Sequence, residues 1–244
     1  MKILAIDSSG LVASVAVTED GHLIAEYTID YKKTHSQTLL PMLDEIKHMI
    51  ELDLSTIDAV AVAAGPGSFT GLRIGAATAK GVAGALDKPI IEIPTMDGMA
   101  YNLVGYEGVI CPIMDARRNQ VYTGFYRFRK DASARSGFSF QVIKTQFAAD
   151  MADVIKELNA LGQQVMFLGD GVPVFESLIA EQMQAPYGFA PANCSRQHAS
   201  ALAALAEEYY RQGKTVAAGG HKPDYLRLSQ AERERLEKEN ASNS

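Results

Sequence analysis

The chain has 244 residues, 47% of them hydrophobic, and 29 acidic against 23 basic side chains give a formal net charge of −6. That length suits one large domain or two lobes, and an acidic balance argues against a protein that grips nucleic acid alone, since phosphate contact is chiefly a Lys/Arg effect. No stretch reaches the roughly 18 continuous apolar residues of a membrane span, Met1 to Ser9 meets an acidic residue and a turn too soon for a signal peptide, and Cys111 and Cys194 are too few for a disulfide framework, so a reducing cytoplasm is the expected setting.

Lys2 to Ile6 reads as a buried strand ending at Asp7. Val12 to Val17 is rich in β-branched residues and Leu23 to Ile29 alternates, with Glu19-Asp20-Gly21 as the hairpin turn between them. Ser36 to Ile50 is helical. Leu39, Leu43, Ile46 and Ile50 make one face, and Leu40, Met42 and Met49 widen it beyond a single stripe. Such a face predicts burial on two sides, by the chain's own sheet and by something else. Pro41 sits within the first turn or two, where a kink is tolerated.

Ala59 to Ala64 is a short apolar run without alternation, the mark of a strand buried on both faces. Gly65-Pro66-Gly67 breaks it, and Ser68 or Thr70 can cap the next helix. That helix, from Phe69 to Ala85, holds Gly71, Gly75, Gly81 and Gly84. Each interior glycine costs roughly 1 kcal/mol against alanine. Gly71, Gly75, Ala79 and Ala83 fall four apart and form a stripe that lets another backbone come close, either this chain's sheet or a helix of another chain. The glycine pattern is neither G-x-x-x-x-G-K-[ST] nor G-x-G-x-x-G, although an anion can still sit at the helix start. Next come a strand at Pro89 to Ile93 and a helix opened by Thr95.

The order of elements then restarts. Val109 to Met114 is a buried strand ending at Asp115, Gln120 to Phe128 a long alternating strand, and Phe138 to Ile143 its partner. Phe147 to Leu161 reads as helix, Gln164 to Leu168 as strand, Val172 to Gln182 as helix, and Ala185 to Cys194 as a proline-containing loop. Two lobes of one topology with mixed sheets are the economical reading. The expected division is 1–103 for the first lobe and 104–195 for the second. A helix within 196–213 crosses back to the first lobe, and 229–244 is a polar tail.

The residues carry little catalytic equipment. No two of the five histidines have H-x-x-x-H spacing, so no metal pair is expected. There is no G-x-S-x-G elbow, and Cys194 with His198 is a weak basis for a thiol nucleophile. Asp7 and Asp115, each ending the first strand of a lobe, are better placed, because such strand ends face a cleft. They read either as carboxylates for hydrated Mg²⁺ at nucleotide phosphates or as simple turn formers. The turns after them are short of glycine, which hinders close approach of a triphosphate. Ser9, Arg118 and Gly169 complete a candidate set for ATP or ADP.

Gly65 to Gly75, then Asp115-Ala-Arg-Arg-Asn-Gln-Val-Tyr122, Pro223-Asp-Tyr-Leu-Arg227 and the opening Ile6-Asp7-Ser8-Ser9 resemble the bacterial TsaB (YeaZ) family. The order of elements resembles the wider ASKHA superfamily of actin, sugar kinases and Hsp70. The resemblance implies an α/β, two-lobed ASKHA fold (actin-like ATPase, ribonuclease H-like). It also implies a part in attaching threonylcarbamoyl to the adenosine beside the tRNA anticodon. The implied role is non-catalytic, with no cofactor of its own, as partner of the metalloenzyme TsaD and the ATPase TsaE, meeting tRNA indirectly and pairing with itself when alone. It places the pairing surface on the first lobe's two helices, at Leu39, Met42, Leu43, Ile46, Met49, Gly71, Ile74, Gly75, Thr78 and Ala79. The rival expectation is a small-molecule kinase or ATPase that uses the cleft.

Overall fold

A computed structural model describes residues 1–31 and 34–226. The polar tail 229–244 and Arg227 lie outside the described residues. Two five-stranded sheets carry the fold. The first holds β1 (Lys2–Asp7), β2 (Ala13–Glu19), β3 (His22–Ile29), β4 (Ala59–Gly65) and β5 (Ile90–Pro94), in the order β3-β2-β1-β4-β5. The second holds β6 (Val109–Asp115), β7 (Gln120–Lys130), β8 (Phe138–Asp150), β9 (Val165–Leu168) and β10 (Tyr187–Phe189), in the order β8-β7-β6-β9-β10. In each, the first three strands form an antiparallel meander and the last two join in parallel. The repeat read from element order is therefore a repeat of topology: two mixed α/β sheets flanked by helices, the ASKHA arrangement.

The helices are α1 (His35–Met49), α2 (Phe69–Leu86), α3 (Thr95–Ala100), α4 (Met151–Leu161), α5 (Val172–Gln182) and α6 (Ala199–Arg211). Alternation along the strands sorts them into layers. Leu4, Ile6, Val15 and Val62 point outward to Leu39, Met42 and Ile46 of α1 and Ala79 and Ala83 of α2. Ala5, Ala16, Ala61 and Ala63 point inward, where α3 and α6 pack between the two sheets. Alanines on both sides of that inner contact, including Ala199, Ala203 and Ala206 of α6, let helix and sheet approach closely. The outer face of the second sheet is covered by α4 and α5.

Two elements differ from the sequence reading. Phe147 to Asp150 continues β8 rather than opening a helix, because Thr123 pairs with Phe147 and Gln120 with Asp150 along the edge of β7. Helix α4 begins only at Met151. The stretch 185–194 hides a three-residue strand, β10, which pairs with Val165 to Phe167 and supplies the fifth strand of the second sheet.

The far edge of the first sheet is closed by a strap from the chain's end. Val216 exchanges backbone hydrogen bonds with Ile90 at 2.8 and 2.9 Å. Farther on, buried His221 meets Glu92 at 2.6 Å, and the Asp224 amide donates to the Ala64 carbonyl at 2.6 Å.

Candidate functional site

Two regions gather the singled-out residues: the cleft between the lobes, and the outer side of α1 and α2. The cleft encloses about 610 Å³ and is walled by the turn after β1, the start of α2, the turn after β6 and the start of α5. Leu11, Tyr31 and Val174 rim it and are exposed.

At the end of β1, Asp7 turns inward. Its Oδ1 accepts from the Ser9 amide at 2.8 Å and from the Ser9 hydroxyl at 2.6 Å. Burial pushes this carboxyl above its usual range, and the Ser9 hydrogen bonds work against that rise. Asp7 is absent from the cleft wall, and its Oδ1 holds the turn. The turn itself is pressed onto α2. The Ser68 amide donates to the Ser9 carbonyl at 2.6 Å, and the Ser8 hydroxyl donates to the Gly71 carbonyl at 2.9 Å. A Cβ on Gly67 would strike the Ser9 carbonyl, and one on Gly71 the Ser8 carbonyl. On the other side the Gln197 carboxamide occupies the space over Gly10. The turn after β1 is thus packed directly onto α2 and against Gln197, while Ser9, Gly10, Gly67 and Gly71 still line the cleft.

The turn after β6 is built differently. Asp115 accepts from the Arg117 amide at 2.8 Å and pairs with its guanidinium at 3.0 Å. Arg117, Arg118 and Asn119 all have positive φ, at 65°, 57° and 60°, a left-handed run that costs roughly 1–2 kcal/mol per residue. Arg117 reaches the cleft wall and Arg118 does not. In the turn after β9, Gly169 has φ 107° and a Cβ there would strike the Ile113 carbonyl. Its amide donates to Ser195 at 2.8 Å and its carbonyl accepts from Arg196 at 2.7 Å. Asp170, not Gly169, lines the cleft, and burial raises its carboxyl pKa. Of the five nucleotide candidates only Ser9 and Asp115 stand on the cleft wall; Asp7 and Gly169 face inward and Arg118 lies off it. Among the described residues no three His, Cys, Asp or Glu side chains cluster to hold a metal ion.

The outer helices require a larger correction. Leu39, Met42, Leu43 and Ile46 of α1 are all buried against the first sheet, so the wide face is filled from one side by this chain. Gly71, Gly75 and Ala79 of α2 are buried too, and the Ser8 side chain occupies the space above Gly75. The stripe inferred from four-residue spacing therefore serves the chain's own first strand and its turn. Ile74 and Thr78 are half-buried, with Ile74 on the cleft wall. Met49, 75% exposed, is the member of the inferred set that faces fully outward, and Leu40 joins it.

The open face of α2 is a different one. Arg73, Ala77, Gly81, Gly84 and Ala85 are exposed. At 100° per residue they fall within one arc of the helix. Among the described residues nothing approaches within 4 Å of a Cβ built on Gly81 or Gly84. The sequence signal was present, since these glycines cost as much as the inner pair, but spacing could not say which stripe faced the sheet. Ser68 is the observed cap, accepting from the Gly71 amide at 3.3 Å.

Comparison with known proteins agrees with this architecture. A family model described as TsaD, tRNA N6-adenosine threonylcarbamoyltransferase, matches residues 22–235. The chain is 34% identical to the TsaB protein of Bacillus subtilis, named a tRNA threonylcarbamoyladenosine biosynthesis protein, over 97% of this chain and 99% of that one. It is 29% identical to the Escherichia coli protein of the same name, over 93% and 95%. The structure of YeaZ from Pseudomonas aeruginosa superimposes with a TM-score of 0.76 at 27% identity, covering 92% of this chain and 99% of that one. Fold and cleft define a two-lobed ASKHA-type protein of the class that also contains the threonylcarbamoyl transferases. Within that class the chain belongs to the TsaB family of tRNA threonylcarbamoyladenosine biosynthesis proteins. None of its described helices is long and apolar enough to cross a membrane.

Proposed function

We propose that the chain acts as a non-catalytic subunit. In this reading it holds a TsaD-type metalloenzyme in a competent conformation while threonylcarbamoyl is transferred to tRNA, with a TsaE-type ATPase joining the pair. A scaffold of this kind acts by binding one conformation of its partner better than another. The observation that carries the reading is the pair Gly81 and Gly84, open glycines inside a long helix against which none of the described residues packs. They cost roughly 1 kcal/mol each, and a flat seat for a partner helix offsets that cost. The same face serves self-association when the chain is alone. A stable interface there would bury on the order of 1,200–2,000 Å² in total.

The test is to purify the chain with the TsaD- and TsaE-type proteins of the same genome and assay tRNA modification with and without it. Modification that needs the chain, while the chain alone turns over nothing, is the expected result. Full modification in its absence sinks the proposal.

The cleft keeps a rival alive, a kinase or ATPase using ATP between the lobes, favoured by the left-handed Arg117–Asn119 turn at its mouth. The packed turn after β1 weighs against it. Calorimetry of the isolated chain with Mg-ATP separates the two: weak binding without turnover fits the scaffold, tight binding with turnover the enzyme.

A further inference from the structure

At the N-terminal end of α2's open face, three side chains form a preassembled cluster. The Arg73 guanidinium lies 3.9 Å over the Phe69 ring. Its Nε donates to the Tyr225 hydroxyl at 3.4 Å. The Tyr225 ring in turn packs on Phe69 at 4.9 Å between centroids. Tyr225 comes from the strap, held beside α2 by the Asp224 amide on Ala64 and by Gln146, which donates to the Asp224 carboxylate at 3.4 Å. Among the described residues, the two terminal nitrogens of Arg73 have no hydrogen-bond or ion-pair partner.

We infer that Arg73 is a preformed carboxylate socket that fixes the register of a partner protein on α2. This rests on the reading of the α2 face as a docking surface. The occupant is a helix of the hetero-partner that brings an Asp or Glu side chain to Arg73 and lays a close-packed segment over Ala77, Gly81 and Gly84. Three observations point to that chemistry. A guanidinium with its stem fixed offers a planar fork that matches a carboxylate with two parallel hydrogen bonds. Stacking on Phe69 and the tie to Tyr225 remove most of the side-chain freedom that binding would otherwise cost. Charge points the same way: α2 carries Arg73 and Lys80 and no acid from Phe69 to Leu86, on a chain whose net charge is −6. An acidic partner face complements this helix and is repelled by the surface at large.

The described part of the Pro223 to Arg227 motif thereby gains a physical role: the strap crosses the first lobe and delivers the Tyr225 hydroxyl to the arginine.

The experiment titrates the full-length chain and its variants against the TsaD-type protein of the same genome, by calorimetry at low and high salt. Arg73→Gln is expected to weaken binding about tenfold and to flatten the salt dependence, with the thermal midpoint of the chain alone unchanged. Arg73→Lys, which keeps charge and loses the fork, should recover only part of the loss, and Tyr225→Phe should lose two- to fivefold. Gly81→Arg is the control for the docking face. If it abolishes binding and Arg73→Gln changes neither affinity nor salt slope, the socket is refuted while the face stands. If Gly81→Arg binds normally, the face itself is refuted and the socket with it. Sedimentation of the chain alone reports the second-copy occupant: an Arg73→Gln effect seen there and absent with the partner overturns the assignment. A chain ending at Leu226 that binds the partner more tightly would show the socket filled by the chain's own last residues, and overturns it as well.

Discussion

The two sides of α2 use the same residue for opposite ends. On the inner side Gly71 and Gly75 let the turn after β1 lie directly on the helix, so Ser8 reaches the Gly71 carbonyl at 2.9 Å. On the outer side Gly81 and Gly84 meet none of the described residues. The inner pair seats the turn after β1 on the helix; over the outer pair the described residues leave an open strip. One helix thus both holds the cleft's first turn and presents an open face. The lesson is that a small-residue stripe is not informative until the face it occupies is known.

The largest expected effect breaks the inner side. Gly71→Val puts a branched side chain into the Ser8 carbonyl, and overpacking of this kind costs about 3 kcal/mol. Urea unfolding of the chain alone would measure it. Gly75→Leu belongs with it, because its side chain would enter the space of the Ser8 hydroxyl; the variant should unfold more easily rather than merely fail to associate. A stability within about 0.5 kcal/mol of the wild type, the range of an ordinary surface change, would show that the turn can give way.

The matching break on the outer side is Gly81→Arg. The chain alone should keep its urea midpoint, and partner affinity should fall about a hundredfold, or about 2.7 kcal/mol. Together the two substitutions separate folding from docking. A loss of stability in Gly81→Arg of the size seen in Gly71→Val would erase the distinction between the faces.

How much of this could be read from residues alone obeys the same division. The strands and their duplicated order were legible because buried runs such as Ala59 to Ala64 and alternating ones such as Gln120 to Phe128 carry their own period. Strand β10 was not, since Tyr187 to Phe189 is too short for any period and lies between prolines. Phe147-Ala-Ala-Asp150 suits a helix locally, and only pairing with β7 makes it strand. Among site residues, Asp7 and Asp115 were correctly placed at strand ends, but which way a carboxylate turns is set by its neighbours, here Ser9 and Arg117. On α1 the breadth of the apolar face was real, and its second side was not, because the first sheet takes up Leu39, Met42, Leu43 and Ile46 together.

A pH series sharpens the comparison from the middle layer. Asp97 of α3 is buried between the sheets, accepting from the Tyr126 hydroxyl at 2.8 Å and the Tyr209 hydroxyl at 3.3 Å. Burial raises its pKa, and the tyrosine hydrogen bonds only partly oppose this. Because the folded-state value lies above the unfolded one, its contribution to stability is complete below the ordinary carboxylate range. It is lost as pH rises through the raised value. Asp97→Asn should therefore flatten the pH dependence of unfolding over that window. Partner affinity should not change with it, since Asp97 lies on the other side of the first sheet from the open face of α2. A parallel drop in affinity would mean that the lobe joint and the docking face are coupled.

The smallest effect has the least ambiguous sign. Replacing an exposed interior helix glycine by alanine stabilises by about 0.5–1 kcal/mol, and both Gly81 and Gly84 have room for the added methyl. Gly81→Ala and Gly84→Ala should each raise the urea midpoint of the chain alone, and the pair should raise it additively, since neither Cβ meets any other described residue. If folding were all that α2 had to satisfy, these positions would hold a side chain already. A partner lying on the helix reverses the sign: the same methyl that steadies the free chain lifts the foreign backbone off its seat. The double variant should thus gain in unfolding and lose in complex formation. A gain in both would leave the glycines without a role, and the outer face would then be an idle surface.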